Sequence, residues 1–127
     1  MKTRFTVALS ILAGIAIGAV AVQCLHAQAK PPAYVIGEID VADQAGYAKE
    51  YLPASAKVAK DSGVKILARG TRTIAFKGEP PKRIVLFALE NMDQAQATFT
   101  STAFLEANKI GEKFAKFRVF AVEGLSQ

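Results

Sequence analysis

Three pairs of side chains in this 127-residue chain carry functional groups suited to chemistry. Asp40 and Asp43, where the first strand-like run ends, can place two carboxylates at the mouth of a cleft between helix and sheet. A carboxyl there acts as a base if burial raises its pKa. The plainer assignment makes Asp43 a helix cap and leaves Asp40 facing solvent or an arginine. Tyr47 and Tyr51 stand one helical turn apart, so their phenols can reach a common ligand. On the apolar face of an amphipathic helix the same pair packs the core, with its hydroxyls reaching the rim. Arg69 and Arg83, near strand ends, offer the planar fork of donors that holds an acidic ligand. The alternative pairs them with Asp40, Glu90 or a carboxylate of a partner chain. Asp40 and Tyr47 are thus the catalytic candidates, and Tyr47, Tyr51, Arg69 and Arg83 the ligand-binding ones.

Other chemistries have less to work with. Cys24 and His26 are the only cysteine and histidine, and both precede residue 30; there is no tryptophan. Residues 30–127 therefore offer a metal only oxygen ligands, without an Asp-rich loop of calcium-type spacing, and no metal or cofactor is expected. A G-x-S-x-G elbow, a phosphate-cradling loop and a dinucleotide fingerprint are also missing. The net charge is +5, but Lys, Arg, Asp and Glu alternate in sign along the chain instead of forming a basic block. Neither a nucleic-acid patch nor a polybasic membrane patch is indicated.

The start of the chain reads as an export signal over residues 1–29. Lys2 and Arg4 precede an uncharged apolar run, Phe5 to Val22, and Ala27, Gln28 and Ala29 fit the small-x-small pattern before a cleavage site. Cleavage after Ala29 would deliver residues 30–127 to the periplasm or the exterior, free of cysteine and held by packing alone. The rival is a retained anchor, since at ~1.5 Å per residue the apolar run reaches about 27 Å, nearly a bilayer core. Gly14 and Gly18 supply a G-x-x-x-G pair for that reading. A lipid on Cys24 is disfavoured by the bulky Gln23 before it. Residues 30–127 suffice for one core and are too few for two.

Tyr34 to Val41 alternates as a strand, with Val35, Ile39 and Val41 on one side and Tyr34, Ile36, Glu38 and Asp40 on the other. Asp43 then caps a helix in which Tyr47, Tyr51, Ala54 and Val58 share a face, Pro53 predicts a kink, and Gly63 closes the helix. Val64 to Arg69 and Thr71 to Lys77 read as one long strand bent at Gly70. A turn over residues 78–82 leads to the most apolar strand, Arg83 to Leu89. Asn91 and Gln94 start a second helical region running to about Lys113, recapped midway by Ser101, and Lys116 to Glu123 is the last strand.

The order β-α-β-β-α-β, closed with right-handed crossovers, predicts an α+β ferredoxin-like fold with an antiparallel sheet and both helices on one face. The other face is then bare. Yet residues 84–89 are apolar at both parities, and Phe120 and Val122 oppose Phe117 and Val119 in the same way. A half-solvated sheet alternates instead. Covering about 600 Å² of apolar area per subunit at ~25 cal/mol per Å² contributes roughly 15 kcal/mol before association costs. A homodimer packed sheet to sheet is expected.

The segments AYVIGEIDVADQAGYAKEY, DSGVKILARG, KRIVLFALENMDQA and FRVFAVEG together resemble the domain of unknown function 1330 family, within the dimeric α/β-barrel superfamily. The resemblance is most specific in the I-D-V-x-D-x-x-x-Y-x-x-x-Y block that ends on Tyr47 and Tyr51, and in Arg69 with Gly70. It implies a dimeric α/β barrel and little chemistry, because members share no agreed activity. Departures lie at Thr98, Phe99 and residues 101–104, where the family pattern is W-Y followed by S-P-x-Y, and at Gly111, where it has arginine.

Three functional readings follow. The first is an exported homodimer binding a small molecule between helices and sheet. The second is a cofactor-free enzyme, monooxygenase- or isomerase-like, in which Asp40 or Tyr47 handles a proton. The third is a membrane-tethered interaction domain, which requires residues 1–29 to be retained.

Overall fold

The computed structural model describes residues 30–126, so the expected export signal lies outside the described residues. Four strands form one antiparallel sheet in the order β2-β3-β1-β4. They are β1 (Ala33–Val41), β2 (Lys65–Gly70), β3 (Arg83–Leu89) and β4 (Ala115–Glu123). The helical elements are a short turn α1 (Gln44–Gly46), a π-helical segment (Tyr47–Tyr51), α2 (Leu52–Ser62), α3 (Met92–Phe99) and α4 (Thr102–Glu112). This is the expected β-α-β-β-α-β order. Among the described residues no helix is long and apolar enough to cross a membrane.

The strand period sets the two faces. In β1, Ala33, Val35, Gly37 and Ile39 are buried, while Tyr34, Ile36 and Glu38 between them are only partly so. Ala33, Val35 and Leu89 pack on Ala95 of α3, and Ile39 and Ala115 pack on Tyr47, so the buried parity faces the helices. The register carries this across the sheet. Val35 and Ile39 lie opposite Phe87 and Arg83 of β3 and Ala121 and Phe117 of β4. Tyr34, Ile36, Ile84, Leu86, Phe120 and Val122 consequently share the face without helices, with Val122 49 % exposed and Phe120 41 %.

Local chemistry explains the helix ends. The Asp43 carboxylate accepts from the Gly46 amide at 3.1 Å, and the Asn91 side chain accepts from the Gln94 amide at 2.9 Å. Ser101 begins α4 by accepting from the Phe104 amide, so the second helical region is two helices, as its sequence predicts. Gly63 ends α2 at φ +71°, a conformation other residues adopt only with strain.

Pro53 sits inside one helical run that is continuous over residues 44–62, and the backbone widens just before it, with the Leu52 amide donating to the Tyr47 carbonyl five residues back. One expectation needs correction. Residues 71–77 do not extend β2. The ladder ends at Gly70 opposite Ile84, and Gly70 turns the chain at φ +147°. The residues before Arg83 include Pro80 and Pro81, which have no amide to give a longer ladder. Ile74 and Phe76 are left 75 % and 98 % exposed. The bulge in β2 instead falls between Ile66 and Ala68.

Candidate functional site

A cavity of about 530 Å³ lies between the helices and the sheet. It exists because the helix side of the sheet is underfilled. Gly37, in the middle of β1, has no side chain to offer, and a Cβ built there would meet only the Val85 carbonyl oxygen, at 3.9 Å. Ala59 of α2 and Ala107 of α4 line the facing walls with equally little bulk. Larger side chains on either side form two core clusters, around Val35 and Leu89 and around Ile39 and Tyr47. The cavity occupies the gap between them.

One end is aromatic. Phe87 and Phe99 meet edge to face with ring centres 5.3 Å apart, and Phe99 contacts Phe104 at 4.6 Å. The other end is cationic. Arg83 opens β3 on the helix-facing side and holds its guanidinium 5.3 Å from the centre of the Tyr47 ring. Arg69 pairs in register with Val85, two residues beyond Arg83, so the two arginines are diagonal neighbours on one side of the ladder. Such neighbours have backbones about 7–8 Å apart, within joint reach of arginine side chains. Both line the cavity.

Tyr47, Tyr51, Ser55 and Ala59 follow at four-residue spacing along the helical segment and line one wall. The Tyr47 and Tyr51 rings are 5.0 Å apart, and Tyr51 meets Phe117 at 5.1 Å. Burial pushes the Tyr51 phenol up to about 12, with the neighbouring Tyr47 adding to the rise and a hydrogen bond with Ser55 opposing it. Burial also raises Tyr47, against a smaller pull downward from Arg83. Both phenols are therefore protonated donors at neutral pH. Asn108 adds an amide from α4.

The structure thus brings together Tyr47, Tyr51, Arg69 and Arg83, four of the residues singled out from sequence. Asp40 is not among them. It lies on the parity of Tyr34 and Glu38, away from the helices, and both its carboxylate oxygens accept from Lys82 Nζ at 3.0 Å. The expectation that Asp40 opens onto the helix–sheet cleft is corrected by this register. Asp43 caps α1. Neither arginine pairs with Asp40 or Glu90, and among the described residues neither is in an ion pair. No carboxylate lines the cavity among the described residues, and none of their His, Cys, Asp and Glu side chains cluster as a metal site would require. Sequence reasoning missed Gly37, Ser55 and Asn108. The four-residue spacing from Tyr51 was a signal for Ser55, whereas nothing in sequence marks Gly37 as the place where the core stops.

Gly111 has a packing role. A Cβ there would come within 2.7 Å of both the Phe117 and Tyr51 rings, so the absent side chain lets these two aromatics meet.

The chain belongs to the family described as domain of unknown function (DUF1330), whose sequence profile matches residues 32–125. No curated protein matches it. Several solved structures share the fold. A protein of unknown function from Rhodopseudomonas palustris superposes with a TM-score of 0.58 at 15% identity, over 77% of this chain and 85% of that one. A dimeric protein of unknown function and ferredoxin-like fold from Bacteroides fragilis gives 0.50 at 14% identity, over 73% and 96%. SnoaB, a cofactor-independent oxygenase from Streptomyces nogalater, gives 0.52 at 8% identity, over 76% and 96%. At these identities the likeness is one of fold.

Proposed function

We propose that this chain is an exported homodimer that holds a small organic molecule in the cavity between its helices and its sheet. The observation that carries the reading is the cavity itself. Its volume falls within the roughly 300–1,000 Å³ range of ligand sites, and its apolar walls bear a few convergent polar groups. Export rests on residues 1–29 as read from sequence, and dimerisation on the apolar face that no helix covers. The dimeric state of the Bacteroides fragilis protein supports the second point by analogy.

Binding is favoured over catalysis by the state of the side chains. The two phenols hold their protons tightly, which suits donors and not bases, and the candidate carboxylate Asp40 is engaged by Lys82 on the other face. Purification of the full chain without additives, followed by native mass spectrometry, tests the reading. A discrete small-molecule adduct, released on denaturation and displaced from protein carrying Gly37→Leu, is the expected result. Bare subunits, together with a thermal-shift screen of small organic molecules that yields no hit, would refute it.

A further inference from the structure

The cavity is polarised: Arg69 and Arg83 lie toward one end with Tyr47, Tyr51 and Phe117, and Phe87, Phe99 and Phe104 lie toward the other without a cation, and this asymmetry selects a class of ligand. We propose that the molecule bound is an apolar organic anion, a carboxylate on a hydrocarbon or aryl body, with its head on Arg69 and Arg83 and its body toward Phe87, Phe99 and Phe104; this rests on the binding reading above.

Arg69 and Arg83 are like charges on one side of the sheet; Arg83 is half-buried against the Tyr47 ring, and Arg69 is exposed while lining the same cavity. Two other cations at the sheet are paired with carboxylates. Lys82 is held by Asp40 at 3.0 Å, and Arg118 by Glu38 at 2.8 Å. Arg69 and Arg83 have no such partner among the described residues, and no carboxylate lines the space they share. A planar carboxylate satisfies this arrangement, since its two oxygens accept from two guanidinium forks at once. The Tyr47 and Tyr51 hydroxyls, as donors on the adjoining wall, add to the same demand for an acceptor. The far end asks for the opposite chemistry, because Phe87, Phe99 and Phe104 offer ring faces and edges without a polar atom. A neutral apolar ligand would leave both guanidiniums without an acceptor inside the cavity, and a small inorganic anion would leave the aromatic end empty.

Matched pairs separate these possibilities. The full chain is titrated by calorimetry at neutral pH with medium-chain alkanoates and one- to three-ring arylcarboxylates, each beside its primary amide. Acids should bind at least tenfold more tightly than amides. Arg69→Gln and Arg83→Gln should each weaken the acids by roughly tenfold and leave the amides unchanged, with Arg69→Lys falling between. Sedimentation of both variants should match the wild type, because the arginines face the helices and not the bare face. Should acids and amides bind alike, the cavity is a binding site and the anionic class is wrong. Should neither bind at millimolar concentration, the binding reading fails and this inference fails with it.

Discussion

The two faces of the sheet are built from the same four strands and set their arginines in different surroundings. On the bare face, Arg118 is neutralised by Glu38 and lies 5.4 Å from the centre of the Phe120 ring, amid Tyr34, Ile36, Ile84, Leu86 and Val122. On the covered face, Arg69 and Arg83 border a cavity without any carboxylate among the described residues. Matching Arg118 suits a surface that closes against a second protein surface, because burying an unmatched charge costs several kcal/mol, while Lys65 and Lys116 lie on the edge strands of that face without an ion pair among the described residues. A surface that will receive a charged ligand must keep its complement open. On the proposed reading, a second copy of the chain covers the bare face and a small molecule occupies the covered one.

The largest effect should come from breaking the bare face. Leu86→Glu places a carboxylate in the centre of the apolar patch, two residues along β3 from Ile84 and opposite Ile36. The dimer dissociation constant measured by sedimentation velocity should rise by roughly 100-fold or more, with the far-ultraviolet circular dichroism unchanged. An undiminished dimer would move self-association to another surface.

Next in size is an alkaline effect confined to the covered face. The Tyr51 phenol is held near 12 in the folded chain against an ordinary value of 10.0, so its contribution is complete below pH 10 and lost as pH rises through the folded value. Between those limits the unfolded chain has released the proton and the folded chain has not. Wild type should therefore lose about 2 kcal/mol more than Tyr51→Phe over that window in urea melts. Using the difference between the two proteins cancels the titration of the lysines.

Gly111→Ala should cost about 1–2 kcal/mol, by forcing apart the Phe117 and Tyr51 rings that a Cβ would meet at 2.7 Å. Gly37→Val is expected to act in the other direction. It has room toward the cavity and removes a flexible residue from a strand centre, so thermal melts should show a gain of about 0.5–1 kcal/mol. The same variant should lose affinity for the acids. A loss of stability instead would mean that the cavity is smaller than the wall residues imply.

Much of the fold was legible because its determinants are local. Asp43, Asn91 and Ser101 announced helix starts by side chains that accept backbone amides, and the alternation in Tyr34 to Val41 announced which residues turn toward the helices. That alternation already placed Asp40 with Glu38, opposite Ile39, so its position outside the cavity was readable from parity. Residues 71–77 misled because Thr73, Ile74 and Phe76 have strand chemistry, while a strand also needs a neighbour, and Pro80 and Pro81 withhold the amides a neighbour would provide. The π-helical turn left no mark beyond Pro53. The cavity was least legible, since it is defined by the volume that Gly37, Ala59 and Ala107 do not fill, and an absence of volume across three elements has no sequence pattern.

The division of labour between the faces stands or falls on whether the bare one is covered in solution. Sedimentation equilibrium of the purified protein at low micromolar concentration answers this directly. The account predicts a single species of twice the subunit mass, converted to monomer by Leu86→Glu. A wild-type protein that remains monomeric at tens of micromolar would contradict it.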